Sequence, residues 1–229
     1  MEAGQRLFIE LEGVGECFRL WVNNGYAGGR IGGFMGTFLD ITDFLNPEGE
    51  NTILFWADNS YNVLTAIPKL IGWGSFGGCH RPVWLHVRDH AYIDYCGVEI
   101  RTPEVSEARG RVAVKTHIQD TKQGGTELEV RHTILSPEGR ELATASAPLK
   151  SRYYVTTKVE VDLPEISNPH RWSLEDPALH TLRTELLENG KAIGLSEDRF
   201  GFRSFRFDKD EGFSLNGKEV KLIGVDSHV

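Results

Sequence analysis

The sequence predicts an all-β fold arranged as successive sandwiches. Short apolar/polar alternations recur every ten residues or so along most of the 229 residues, and that period puts one face of a strand inside and the other in water. Glycine-, asparagine- and proline-rich turns separate them. Two of these turns, Asn189-Gly190 and Asn216-Gly217, carry the strongest short hairpin signal, because a type I′ turn needs two residues that tolerate positive φ. No segment keeps a 3.6-residue period long enough for a long helix.

In chain order, residues 6–13 (RLFIELEG) place Leu7, Ile9 and Leu11 on one face and Phe8, Glu10 and Glu12 on the other, as in a strand with one mainly buried side. Residues 17–22 (CFRLWV) form a second strand, ending at the turn Asn23-Asn24-Gly25, and residues 34–41 a third. Residues 40–45 suggest one helical turn before the loop at 46–49, and residues 51–58 (NTILFWAD) a strong strand. The next segment, 59–78, contains Pro68 and several glycines. A loop that long is uncommon in a compact domain and is often functional. Residues 82–87 (PVWLHV) resume the sheet.

Residues 92–100 lead into a second unit, which Val98 and Ile100 begin. Residues 111–119 turn Val112, Val114, Thr116 and Ile118 inward, and residues 126–135 do the same with Leu128, Val130, His132 and Ile134. His132 is therefore expected to be a hydrogen-bonded core histidine, not a ligand. A turn at 136–139 and an alternating strand at 154–163 follow. Leu179, Leu182 and Leu186 have helical spacing, but Leu182, Thr184 and Leu186 also alternate, and the Asn-Gly turn behind them favours a strand. Strands at this spacing, without helices, suggest an immunoglobulin-like sandwich.

In the closing stretch, Phe213 and Leu215 alternate into Asn216-Gly217, and residues 222–225 form a nearly continuous apolar run. Such a run suits a strand buried on both faces. Asp226, Ser227 and His228 follow at once, as polar groups do at the C-terminal end of a barrel strand. The expectation is the first strand of a barrel whose remainder lies outside these residues.

A formal charge of −8 disfavours nucleic acid as a partner, since phosphate binding wants clustered Lys and Arg. No apolar run approaches the roughly 20 residues of a membrane span. Residues 1–6 (MEAGQR) have no apolar leader core, which favours a cytoplasmic location; the missing strands inferred below would leave room for a leader further upstream. Cys17, Cys79 and Cys96 are odd in number and widely spaced, match no zinc or disulfide framework, and are expected as buried free thiols. His86 and His90 are four apart but fall at a strand end, so no metal site is expected there.

Several motifs together resemble glycoside hydrolase family 2, the family of β-galactosidases, β-glucuronidases and β-mannosidases. RLFIELEGVGECFRLWVNNGYAG (residues 6–28), Leu39-Asp40-Ile41-Thr42 and Gly77-Gly78-Cys79-His80-Arg81-Pro82-Val83-Trp84-Leu85 are similar to its galactose-binding-like jelly roll. Trp172-Ser173-Leu174-Glu175-Asp176-Pro177 is similar to a stretch of its middle domain, and Gly201-Phe202-Arg203, then GFSLNGKEVKLIGV (residues 212–225) followed by His228, are similar to its entry into a (β/α)8 barrel. Asp226, Ser227 and Val229 depart from the usual residues there, as do Cys79 and His80 in the jelly roll.

The resemblance implies a partial jelly roll at 1–94 that lacks its first strands, an immunoglobulin-like sandwich at 95–207, and the hairpin and first barrel strand at 208–229. It implies a chain truncated at both ends. It also implies hydrolysis of a terminal β-glycosidic bond, first of all a β-galactoside, by two glutamates of which the acid/base follows an Asn. No Asn-Glu dipeptide occurs in the chain, so no catalytic residue is assigned. By the resemblance His228 and Asp58 contact the sugar. Trp73 is expected as a packed loop anchor rather than a ring stacked on a sugar face, and Arg81 and Arg203 as structural bridges. A carbohydrate substrate is the implied partner, with no cofactor, and homo-oligomerisation stays open. The rival readings are a non-catalytic carbohydrate-binding module and a structural tandem of sandwiches.

Overall fold

The structure is a computed structural model and describes residues 4–32, 35–60 and 77–225. The chain divides into two compact units, Met1–His90 and Ala91–Val229.

The first unit contains β1 (Arg6–Leu11), β2 (Val14–Gly15), β3 (Cys17–Val22), β4 (Gly25–Ile31), β5 (Thr37–Asp40), β6 (Ile53–Asp58), β7 (Gly78–Cys79) and β8 (Val83–Arg88). They form sheets of order β5-β1-β8 and β4-β3-β6 with the short pair β2-β7, a partial jelly roll. Ile9, Leu11, Val14, Phe18, Leu20, Val22 and Ile41 make the core. The Asp-Ile-Thr step has a physical reason. Asp40 accepts the Thr42 backbone N–H at 3.0 Å and its hydroxyl at 2.6 Å, and pairs with Arg6 at 2.7 Å. Thr42 Oγ1 in turn accepts the Leu7 N–H at 2.8 Å. These bonds fix the 3-10 turn Thr42–Phe44 to β1 and drive Ile41 into the core with no exposure.

The second unit contains β9 (Ala91–Val105), β10 (Arg109–Asp120), β11 (Glu127–Leu135), β12 (Glu141–Lys150), β13 (Thr157–Asp162), β14 (Ile166–Ser167), β15 (His180–Glu188), β16 (Lys191–Phe200), β17 (Phe205–Asp208), β18 (Gly212–Leu215) and β19 (Lys218–Glu219). One sheet runs β13-β10-β14 with β9 also on β10, the other β12-β11-β15-β16. Together they make the immunoglobulin-like sandwich. The inward sets read from the alternation are the buried ones: Val112, Val114, Thr116 and Ile118 on β10, and Leu128, Val130, His132 and Ile134 on β11. His132 bridges the sheets, its Nε2 lying 3.3 Å from Thr116 Oγ1 and its Nδ1 3.0 Å from Thr184 Oγ1. The two Asn-Gly turns have positive φ at both residues: 51° and 77° at Asn189-Gly190, 50° and 77° at Asn216-Gly217. The stretch around Leu182 is strand β15.

Other features depart from expectation. β4 was not foreseen, because GYAGGRI reads as turn. Its Gly29 is required, since a Cβ there would stand 2.5 Å from Phe18 O. The third strand is β5, shorter than 34–41, and Phe34 lies outside the described residues. β12 was missed because its small residues and Pro148 weaken the strand signal. It is the sheet edge, where proline is tolerated. Residues 221–225 form no strand, and Leu222, Ile223 and Val225 are 65%, 86% and 93% exposed. A strand buried on both faces needs neighbours on both sides, and none pairs with this run among the described residues.

The cysteines also differ from expectation. Cys79 and Cys96 are exposed and Cys17 is half-buried. Cys79 lies on a two-residue strand. Cys96 has φ 51°, at the place where the β9–β10 register slips between Thr116 and Ile118, so the bulge turns it outward. Thiol titration of the native chain is therefore expected to modify Cys79 and Cys96 first. Cys17, whose Sγ donates to Asp58 O at 3.3 Å, should lag until denaturant is added. Simultaneous modification of all three would contradict this placement.

Candidate functional site

Asp58 ends β6 opposite Cys17 on β3. Its Oδ1 accepts the Ser60 N–H at 2.7 Å and the Ser60 hydroxyl at 2.5 Å. This is an Asx turn, in which a short carboxylate launches a loop by satisfying the backbone two residues on. Burial pushes the Cys17 thiol upward, and the Asp58 charge adds to that. The local chemistry is thus that of an acceptor-rich loop start. His228 and Trp73 lie outside the described residues. Among the described residues no cluster of three or more His, Cys, Asp or Glu could hold a metal ion.

Two polar pairs on β1 and β8 escaped the sequence reading. Glu10 Oε2 lies 2.8 Å from His86 Nε2, and Glu12 Oε1 accepts the Trp84 indole N–H at 2.7 Å. Both are diagonal contacts across the β1–β8 register, in which Glu10 faces Trp84 and Phe8 faces His86 and Glu12 follows the end of β1, and only that register, which joins residues more than seventy apart, reveals them. His86 is thereby engaged by a carboxylate. Arg81 passes close over Gly13, where an added Cβ would meet its Cδ at 2.9 Å.

The remaining motif residues converge on a structural knot in the second unit. Gly201 lets Trp172 approach, since a Cβ there would sit 2.7 Å from Trp172 Cβ. Phe202 has no exposure and packs edge-on to His180 at 4.8 Å. The Arg203 guanidinium lies 5.0 Å over the Trp172 ring, a cation–π contact. Asn216, at the hairpin turn, accepts the Ser204 N–H at 3.0 Å and donates to Trp172 O at 2.9 Å. Gly201-Phe202-Arg203, Trp172-Ser173 and Asn216-Gly217 therefore fasten the closing hairpin to the sandwich. Arg203 is a bridge, as expected.

This architecture has close counterparts. Residues 91–203 match the family model "Glycosyl hydrolases family 2". The chain is 30% identical, over 98% of its length, to a β-glucuronidase of Bacteroides fragilis, of which it spans 33%. It is 25% identical, over 99% of its length, to β-galactosidase BoGH2A of Bacteroides ovatus, of which it spans 26%. The crystal structure of a Bacteroides uniformis β-glucuronidase superposes with a TM-score of 0.89 at 28% identity, covering 98% of this chain and 27% of that one. The chain thus spans a third or less of the relatives it matches. Through the segment 91–203, and a likeness that continues along nearly its whole length, the chain belongs to glycosyl hydrolases family 2.

Proposed function

We propose that this chain is the non-catalytic, two-sandwich portion of a glycoside hydrolase that cleaves terminal β-glycosidic bonds by the retaining, two-carboxylate route. In this reading residues 1–94 are the jelly roll, 95–207 the immunoglobulin-like spacer, and 208–229 the hairpin and entry into the catalytic barrel. Asp58 and His228 reach the sugar. The observation that supports it most is the near-complete coverage of this chain by β-glucuronidases and β-galactosidases. The galactoside expected from the sequence becomes one of two sugars, and the glucuronide moves ahead because the relatives of higher identity carry that name.

The test uses the protein encoded by the whole reading frame in which these residues lie. It should release fluorophore from an aryl β-glucuronide faster than from an aryl β-galactoside, while the 229-residue chain should not exceed a buffer blank. Turnover by the short chain would overturn the non-catalytic assignment. Inactivity of the longer protein on both substrates would favour a binding module. In an active protein Asp58→Ala should raise KM more than it lowers kcat, by about tenfold for one lost charged hydrogen bond. Unchanged kinetics would leave Asp58 as a loop-start residue alone.

A further inference from the structure

The chain carries three Asn-Gly pairs: Asn24-Gly25, Asn189-Gly190 and Asn216-Gly217. Asparagine is a thermolabile residue, and glycine, with no Cβ, leaves its own nitrogen unshielded. That nitrogen can attack the asparagine Cγ. A nitrogen–carbon bond forms, the Cγ–Nδ2 bond breaks, and ammonia leaves with the proton. Water then opens the resulting five-membered succinimide at either carbonyl. One opening yields aspartate. The other yields isoaspartate, in which the chain runs through the former side chain. Water is the sole co-reactant, and nothing is oxidised or reduced.

The three pairs are held differently. Asn189-Gly190-Lys191 and Asn216-Gly217-Lys218 are the same tripeptide in the same turn, with φ of 51° and 77° in one and 50° and 77° in the other. Local sequence and local backbone therefore do not distinguish them, but their side chains do. The Asn216 carboxamide is fixed at both ends: Oδ1 accepts the Ser204 N–H at 3.0 Å and Nδ2 donates to Trp172 O at 2.9 Å. Its Cγ cannot turn toward the Gly217 nitrogen without breaking both bonds. The Asn189 carboxamide makes no hydrogen bond among the described residues, and Asn189 and Gly190 are both exposed. A Cβ at Gly190 would meet nothing within 4 Å. In Asn24-Gly25 the nitrogen itself is engaged. Gly25 opens β4 and faces Val22 across the turn, the position whose N–H closes a two-residue turn. Phe44 covers it, since a Cβ there would run into the Phe44 ring.

The closed turn fixes the Asn189 backbone, so the succinimide forms only when the tip opens. Opening is easy at this tip. β16 is the edge of its sheet. Glu188–Lys191 and Leu187–Ala192 are the pairs between the turn and the place where the β15–β16 register slips, at Leu186/Leu187.

We propose that Asn189 is a site of spontaneous deamidation in the folded chain, while the fold holds Asn24 and Asn216 against the same reaction. The new carboxylate lies beside Glu188, which pairs with Lys122 at 3.3 Å. Aspartate still suits the positive φ of the turn. Isoaspartate adds a backbone carbon to a two-residue loop that sets the strand register, so it loosens the end of the β15–β16 hairpin.

Peptide mapping by mass spectrometry tests this on the native 229-residue chain held in mildly alkaline buffer. The amide-to-acid mass gain should accumulate at Asn189 at least about tenfold faster than at Asn216, the ratio expected from the two hydrogen bonds that Asn216 must lose. It should also outpace Asn24, and enzymatic methyl-ester labelling should find isoaspartate at residue 189. In concentrated urea the Asn189 and Asn216 peptides, which share Asn-Gly-Lys, should react at nearly the same rate. Equal native rates at 189 and 216 overturn the proposal. A native Asn189 that stays intact while the urea-unfolded chain converts overturns it as well. A preference of the same size that survives in urea does so too, because the fold would then not be its cause.

Discussion

Replacing Asp120 by alanine should cost the second unit about 4 kcal/mol, the largest loss expected from one polar substitution. Asp120 closes β10 at 1% exposure. Its Oδ2 accepts the Thr126 hydroxyl at 2.7 Å and the Ser151 hydroxyl at 2.5 Å, and its Oδ1 accepts the Lys122 N–H at 2.7 Å. Its carbonyl takes the N–H of Tyr154 at 2.8 Å, a residue at φ 51°. One buried carboxylate therefore ties the end of β10 to the loop before β11 and to the segment after β12. Hydrogen bonds to a charged acceptor contribute about 1.5–3 kcal/mol each, and removing the acceptor strands donors that have little water to turn to. Ser151 keeps an alternative, the Thr126 carbonyl at 3.1 Å. Asp120→Asn keeps the shape and one acceptor oxygen, so about half the loss should remain. Urea melts followed by circular dichroism read both variants, and a loss below about 1 kcal/mol for Asp120→Ala would show that the loops hold without this anchor.

Asp120 also marks where the sequence stops being informative. Period-2 alternation was enough to identify the inward faces of β10 and β11, because one buried face repeats in the chain itself. The Asn-Gly turns were equally legible, since their φ requirement is local. The Asp120 anchor joins residues up to thirty-one apart through side chains that look like ordinary loop serine and threonine, so nothing in their spacing announces it. β4 and β12 were hidden because glycine and small residues carry little strand propensity and form only in register with a neighbour. The run 222–225 misled for the opposite reason. Its composition states what environment it needs, and the described residues do not supply that environment. At the candidate site, Asp58 was legible as the end of a strong strand, whereas the Glu10–His86 and Glu12–Trp84 pairs depended on knowing that β1 lies beside β8.

Acid should weaken the second unit well above the range in which surface carboxylates titrate, and His132 is the main cause. Burial pushes its pKa from 6.5 down to about 4, because the side chain has no exposure and the charged form would lose its water. A neutral imidazole donates from one nitrogen and accepts at the other, and hydroxyls serve either role. Thr116 and Thr184 thus satisfy it without a counter-charge. The sign follows from proton counting. Above about pH 6.5 neither state carries the proton. Between 6.5 and 4 the unfolded chain binds a proton that the folded chain refuses, so stability falls as pH falls, by up to about 3 kcal/mol, and below 4 this contribution is flat. His180, at 1% exposure, is also shifted downward by burial and then by His170, and adds to the same slope. His132→Leu alone would strand two hydroxyls and cost about 2 kcal/mol at neutral pH. The combined Thr116→Val, His132→Leu, Thr184→Val variant replaces every polar partner at once, so it should keep most of the neutral-pH stability and lose about one proton's worth of slope between pH 6.5 and 5. Denaturant midpoints taken across that window measure the slope directly. If the triple variant kept the full acid slope of the parent chain, the titration would have to lie elsewhere, and His132 would be a packing residue only.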